Sequence, residues 1–334
     1  MTRTIVKLAA IAVAIAWAGS ASAQVRLIFA SQSPAGTPNT VFFNSWAQKV
    51  NEAGKGSVRV EVRDGETLAN MMNSYDRVTD DVIQIGWIFH SLIGNRFPLS
   101  DVNSLPFIGD NNHACSIASW RLYKSGLLDA EYKDIMPLWF GCLTTNYLHW
   151  AKEPKQIDDL GGLKFRVSGK IPAQAIQLLG GTPVSMPPSE MYEALQRGTL
   201  DGLVTTWAAY EPYKLHEVTN THLEIPLGGI PSMHFMSRKK FESLPKQVQD
   251  AISANTGEEA SRNAGEFFLG AATRARASIA ASDKQKIIQL TPQQYDTWKN
   301  KVSGVTESWI KERSTGQQVY DAYVKFYNEA AGNK

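Results

Sequence analysis

Apolar residues alternate between two periods along the chain. Residues 25–30 form a short apolar run that predicts a buried strand, and it breaks into turn formers over 31–38. Phe42, Phe43, Trp46 and Val50 then recur at helical spacing, and the segment 51–56 closes that helix. Val58, Val60 and Val62 alternate with Arg59, Glu61 and Arg63, the mark of a strand with one wet face. After a second helical stretch, residues 82–89 read as another buried strand. Strand, helix, strand, helix, strand predicts a mostly parallel sheet with helices on both faces.

The pattern restarts after Pro137. Residues 138–148 are strand-like as one piece, and 163–167 form a short strand between glycine pairs. A helix over 172–179 ends at Gly180 and Gly181. Residues 183–186 follow as a strand, and Ser189 is placed to cap the next helix, which carries Met191, Ala194 and Leu195 on its apolar face. Residues 200–205 give one more strand. The Ala-rich stretch 245–282 reads as a long helix that crosses both domains and bends at Gly257, Gly265 and Gly270. Helices over 292–311 and 318–328 complete the expected α/β chain.

Composition narrows the class. The chain has 334 residues, 43% apolar and 20% charged, enough for two domains with separate cores. Its 34 basic residues against 32 acidic ones give no basic surplus, which argues against a nucleic-acid partner. Arg3 and Lys7 precede an apolar run over 8–18 and the small residues Ala21, Ser22 and Ala23. Residues 1–23 are therefore expected to be a signal peptide cleaved near Ala23, sending the protein to the periplasm. That compartment permits a disulfide between Cys115 and Cys142, although the spacing leaves a bond and two separate thiols both open. The sequence contains no G-x-S-x-G, H-E-x-x-H, C-x-x-C, G-x-G-x-x-G or P-loop, and its six histidines lack metal-ligand spacing. No cofactor, metal site or catalytic residue is expected.

One extended constellation carries a functional reading. The run Ile157-Asp158-Asp159-Leu160-Gly161-Gly162-Leu163-Lys164-Phe165-Arg166-Val167 is followed by Leu179-Gly180-Gly181-Thr182-Pro183-Val184 and by Met186-Pro187-Pro188-Ser189-Glu190-Met191-Tyr192. Ala194-Leu195-Gln196-Arg197-Gly198 and Leu200-Asp201-Gly202 continue it. This ordered set resembles the DctP-like solute-binding proteins of tripartite ATP-independent periplasmic (TRAP) transporters. The resemblance implies a two-lobed α/β fold with a ligand cleft between domains and a long helix spanning both lobes. On that pattern residues 24–144 plus 232–270 form the first domain, and 145–231 plus 271–334 the second. It also implies a receptor that delivers a small organic acid to integral membrane subunits.

Arg166 stands at the family's carboxylate-binding arginine, whose planar fork suits a carboxylate better than a lysine would. Gln32 aligns with an asparagine that reaches the ligand in sialic-acid-binding members, and Asn70 with a polar contact in the next loop. Trp87 lies near a glutamate contact, with Phe89 beyond it. Asn146 falls where those members have a second arginine. Thr205 falls at a ligand-contacting asparagine, with Trp207 and Tyr210 close behind, and His234 lies on a returning strand facing the cleft. One positive charge and one acidic contact are thus replaced by neutral or aromatic groups. The expected ligand is a monocarboxylate with an apolar or aromatic body. Two alternatives stay open at this level, a receptor feeding a sensor kinase and an exported α/β enzyme acting on a small carboxylate.

Overall fold

The computed structural model describes residues 24–143 and 145–332, so the expected signal peptide lies outside the described residues. The first sheet collects β1 (Val25–Ser31), β2 (Val58–Asp64), β3 (Ile85–Phe89), β4 (Ile135–Leu143) and β10 (Ile230–Ser237) in the order β2-β1-β3-β10-β4. β1 pairs in parallel with β2 and β3, whereas β10 runs antiparallel between β3 and β4. Helix α1 (Pro38–Ala53) begins at a proline, whose fixed φ suits a first turn. It lays Phe43, Trp46 and Val50 on the sheet, over Phe29, Trp87 and Trp139. A short helix α2 (Ser74–Thr79) leads into β3. On the far side of the sheet lies α3 (Asn112–Lys124), whose N-cap Asn111 accepts a hydrogen bond from Ala114 N.

The second sheet holds β5 (Tyr147–Trp150), β6 (Lys164–Val167), β7 (Thr182–Ser185), β8 (Gly202–Thr205), β9 (Thr221–Leu223) and β11 (Lys286–Ile288), in the order β11-β9-β5-β8-β6-β7. Helices α4 (Lys170–Leu178) and α5 (Met191–Gln196) connect its strands. Ser189 is not a cap. Residues 188–190 form a 3-10 turn that runs straight into α5, so there is no free helix start for its hydroxyl to serve.

Two long segments resolve differently from the expected pattern. The single strand over 138–148 is two strands, β4 in the first sheet and β5 in the second. Between them the chain crosses from lobe to lobe. There Asn146 N donates to Gly228 O at 2.8 Å and Leu227 N donates to Asn146 O at 3.0 Å, so the outgoing and returning crossings are stitched to each other. Gly228 has φ +94°, and a Cβ on it would stand 1.9 Å from Ser104 O, so only glycine fits this crossing. The helical stretch 245–282 is likewise broken, into α7 (Lys246–Ser253), after the short α6 (Arg238–Ser243), and α8 (Glu258–Ala280). The break is at Gly257, which has φ +119° and whose N–H donates to Leu138 O rather than into a helix. Helix α8 then runs unbroken through Gly265 and Gly270. It packs on α3 and β4 at its start, and buries Ala272 and Ile279 in the second lobe at its end.

Helix α9 (Pro292–Lys311) packs on α4, as a second-lobe tail should. The expectation that residues 271–334 all belong to the second lobe does not hold for α10 (Gly316–Ala331). It lies on α3, burying Val319, Tyr323 and Tyr327, and the Tyr327 hydroxyl accepts from Asn111 N at 2.7 Å. Apolar periodicity marks a buried face but not which lobe covers it. Cys115 on α3 and Cys142 on β4 form a disulfide, with their Cα atoms 5.8 Å apart.

Candidate functional site

The ends of β3, β6 and β8 converge between the lobes. The first lobe contributes Trp87 and Phe89 from β3, Asn39 from the first turn of α1, and Leu143 and Ile230 where the chain crosses. The second contributes Arg166 from β6, Thr205 from β8, and Pro188, Thr206, Ala208, Ala209, Pro212 and Tyr213 from the loops that follow β7 and β8. Together they close tightly around a cavity of only about 10 Å³, so a ligand enters only as the lobes move apart. Larger hollows open on the second lobe's surface, one beside Lys152 to Gln156 and one between Glu217 and Arg274, and neither holds a buried unpaired charge.

Arg166 dominates the electrostatics of the enclosed space. Strand alternation sends its neighbours Phe165 and Val167 into the lobe's core. The Arg166 side chain is itself 1% exposed. Its Nε donates to Met186 O at 3.0 Å and its Nη1 to Val204 O at 3.5 Å, both neutral carbonyls. Nη2 is buried with no partner, and among the described residues no carboxylate pairs with this guanidinium. Burial pulls its pKa down from 12.5 to about 10, with Tyr213 opposing that shift. A buried charge without a counter-ion costs several kcal/mol. An anion entering the space removes that penalty and gives Nη2 its missing acceptor.

Of the residues expected at the site, the structure brings Arg166, Trp87, Phe89 and Thr205 around one space. The other six do not line it, although Gln32 Oε1, Asn146 Oδ1 and both His234 ring nitrogens are buried without partners. Gln32 Nε2 donates to Ser74 Oγ at 2.5 Å. Asn70 Oδ1 accepts from Met72 N and Asn73 N, closing the turn before α2. Asn146 sits in the crossing already described. His234 lies behind Trp87, sandwiched under α1 between Trp87 and Trp139 with ring centroids at 5.7 and 4.3 Å. Trp207 Nε1 donates to Glu224 Oε1 at 2.9 Å, and Glu224 takes both arms of the Arg276 fork from α8. The Tyr210 hydroxyl lies 3.1 Å from Thr219 Oγ1 and 3.2 Å from His222 Nδ1, inside the second lobe.

Sequence reasoning missed Asn39 and Tyr213. Asn39 had a legible signal, because a polar side chain in the first turn of a helix sits where backbone N–H groups favour an anion. Tyr213 had none, since nothing local separates it from a surface tyrosine.

Comparison with known proteins places this geometry. The chain is 24% identical over 324 residues to the protein called outer membrane transporter protein TsaT of Comamonas testosteroni, covering 94% of this chain and 95% of that one. A TRAP solute-binding protein of a marine metagenome, specific for aromatic acid ligands and solved with metahydroxyphenylacetate, matches at 26% identity and TM-score 0.85. That match covers 92% of this chain and 99% of the other. A TRAP solute-binding protein of Rhodoferax ferrireducens T118, solved with copurified benzoate, shares the fold at 24% identity and TM-score 0.86 with the same coverages. Among the described residues no helix is long and apolar enough to cross a membrane. The family match runs over residues 29–312, through both lobes and the space between them. The chain belongs to the bacterial extracellular solute-binding proteins of family 7, DctP, a family of receptors that bind solutes outside the cytoplasm.

Proposed function

We propose that this protein is the periplasmic receptor of a TRAP transporter, that it binds an aryl monocarboxylate between its lobes, and that it hands the ligand to integral membrane subunits. The observation that carries the reading is Arg166, a buried guanidinium without a protein counter-ion, facing a space whose other walls are mostly apolar, Trp87, Phe89, Leu143, Ile230 and Pro188 among them, with Asn39, Thr205, Thr206 and Tyr213 as the polar remainder. One cation suits one carboxylate, and the apolar walls suit the rest of such a ligand. The 26%-identical metagenomic relative, specific for aromatic acids, supports the same class. Lining groups from both lobes make the ligand a bridge, so it stabilises the closed arrangement over any open one. Residues 1–23 act in this reading as a signal peptide removed near Ala23. We divide the lobes as 24–144 plus 232–270 and 145–231 plus 271–315, with 316–331 returned to the first lobe by its seat on α3.

A head-to-head calorimetric titration tests the ligand class. Benzoylformate or phenylacetate should bind more tightly than malate or sialic acid, and should be recovered unchanged after prolonged incubation. Tighter binding of malate would require a second cation that the cavity wall does not supply, and would overturn the aryl reading. Turnover in proportion to protein would overturn the receptor reading.

A further inference from the structure

We infer that the Trp87 indole N–H is the first lobe's hydrogen-bond donor to the ligand, so that the preferred ligand is an aryl carboxylate carrying a hydroxyl or keto oxygen. The inference rests on the aryl-acid reading above and sharpens it. Trp87 lines the enclosed space, is 1% exposed, and has a buried Nε1 with no partner. Its ring is pinned on several sides. It lies parallel to His234 within 7°, meets Phe43 at 5.1 Å and stands perpendicular to Phe89 at 5.5 Å.

These contacts decide how Trp87 meets a ligand. An indole N–H lies in the plane of its ring, so a parallel stack cannot bring it to a His234 nitrogen, and neither phenyl ring offers an oxygen. With one face on His234 and other sides against Phe43 and Phe89, the ring is held in place and its one polar atom is left without a partner. Trp139, Trp150 and Trp309 also hold unpartnered indole N–H groups, but none of them lines this space.

The rest of the first lobe's wall holds no other unpartnered donor atom. Phe89, Leu143 and Ile230 are apolar, and Asn39 Nδ2 spends one of its two N–H groups on Ser33 Oγ at 3.0 Å, so Trp87 Nε1 is the one donor atom of that wall with no partner among the described residues. The two buried donors without partners at the site therefore stand on opposite lobes, Arg166 Nη2 and Trp87 Nε1. A ligand whose carboxylate meets Arg166 and whose second oxygen meets Trp87 satisfies both. An unoxygenated acid of the same size leaves Trp87 Nε1 buried and unpaired, which disfavours it by about tenfold in Kd.

The test is calorimetry on the full-length protein and on Trp87→Phe, each with phenylacetate, 3-hydroxyphenylacetate, mandelate and benzoylformate. The wild-type protein should bind at least one oxygenated acid about tenfold more tightly than phenylacetate. Trp87→Phe should erase that preference, bringing the oxygenated acids and phenylacetate to within about threefold of one another in that variant. A preference that survives in Trp87→Phe, or is absent from the wild type, overturns the inference and leaves the aryl reading standing. Failure of the wild type to bind any of the four overturns the aryl reading as well. Nitrogen-15 spectra of the wild type supply a measurement that needs no variant. One indole N–H resonance should move downfield with the oxygenated acid and not with phenylacetate, and the absence of any such movement overturns the assignment.

Discussion

Arg166 stays charged while buried because two of its neighbours are oriented for it. Two backbone carbonyls take Nε and Nη1, and Nη2 is left without a partner. Arg166→Ala should therefore reduce carboxylate affinity by about 2–5 kcal/mol, while far-UV circular dichroism stays unchanged. Arg166→Lys should recover little, because a single ammonium cannot serve Met186 O and Val204 O and still present a fork. Titration with the preferred acid separates the two variants. The same residue sets an upper pH limit on binding. With its pKa lowered to about 10, the free site loses its charge as pH rises through that value, so affinity should fall between pH 9 and 11 where an ordinary arginine would hold. At this scale the sequence singled out Arg166, Trp87 and Phe89, which the structure brings to one space, because a motif and strand alternation indicate where such residues point. It did not show that Trp207 and Tyr210 face inward. Their partners Glu224, Arg276, Thr219 and His222 reach them from other elements, and such contacts leave no local trace.

The elements show why the two crossings matter. Periodicity located most strands and helices, and it failed at 138–148 because the polar triplet Thr144-Thr145-Asn146 is short and its threonines suit a strand, so it reads as one wet stretch of a single strand. The hydrogen bonds of Asn146 with Leu227 and Gly228 show that the chain crosses there. Gly228→Ala would press a methyl group into Ser104 O and force a positive φ on an L residue. It should lower stability by about 2 kcal/mol or more, seen as an earlier urea midpoint. Beside the crossings, the Cys115–Cys142 bond ties α3 to β4 across 27 residues. On a loop-closure argument, replacing both cysteines by serine should cost about 3–4 kcal/mol, measurable as a lower melting temperature under non-reducing conditions. The sequence allowed that bond without requiring it, since spacing says nothing of the distance between a helix and a strand edge.

At the scale of the whole molecule, four buried histidines govern acid stability. Burial lowers His90 and His222 to about 4, and holds His149 and His234 well below 6.5. As pH falls from 6.5 toward 4 the unfolded chain binds these protons and the folded one does not, so stability drops over that window. Each histidine adds a slope of up to about 1.4 kcal/mol per pH unit. Asp101, raised by burial to about 7, binds its proton in the folded state first and opposes the trend over roughly the same range. Glu131 and Asp64, also raised by burial, oppose it as well, and the four histidines outnumber these three carboxylates. Urea midpoints should fall from pH 7 to pH 5, and a flat profile would mean that these histidines acquire protons inside the fold.

The seat of α10 on α3 has a consequence for time rather than energy. The first lobe needs β10 at 230–237 and α10 at 316–331 before its layers are complete, and second-lobe segments, 147–223 and 286–311, come before each of them. A chain emerging from its N-terminus can form local helices and the β1–β2 pair early, but its first sheet must wait for a strand made some 140 residues after β3. Folding on that plan is non-local and cannot be completed before synthesis is nearly complete. The chain remains an open thread until nearly its last turn of helix is available, and only then do the two lobes and the ligand space between them come into being together.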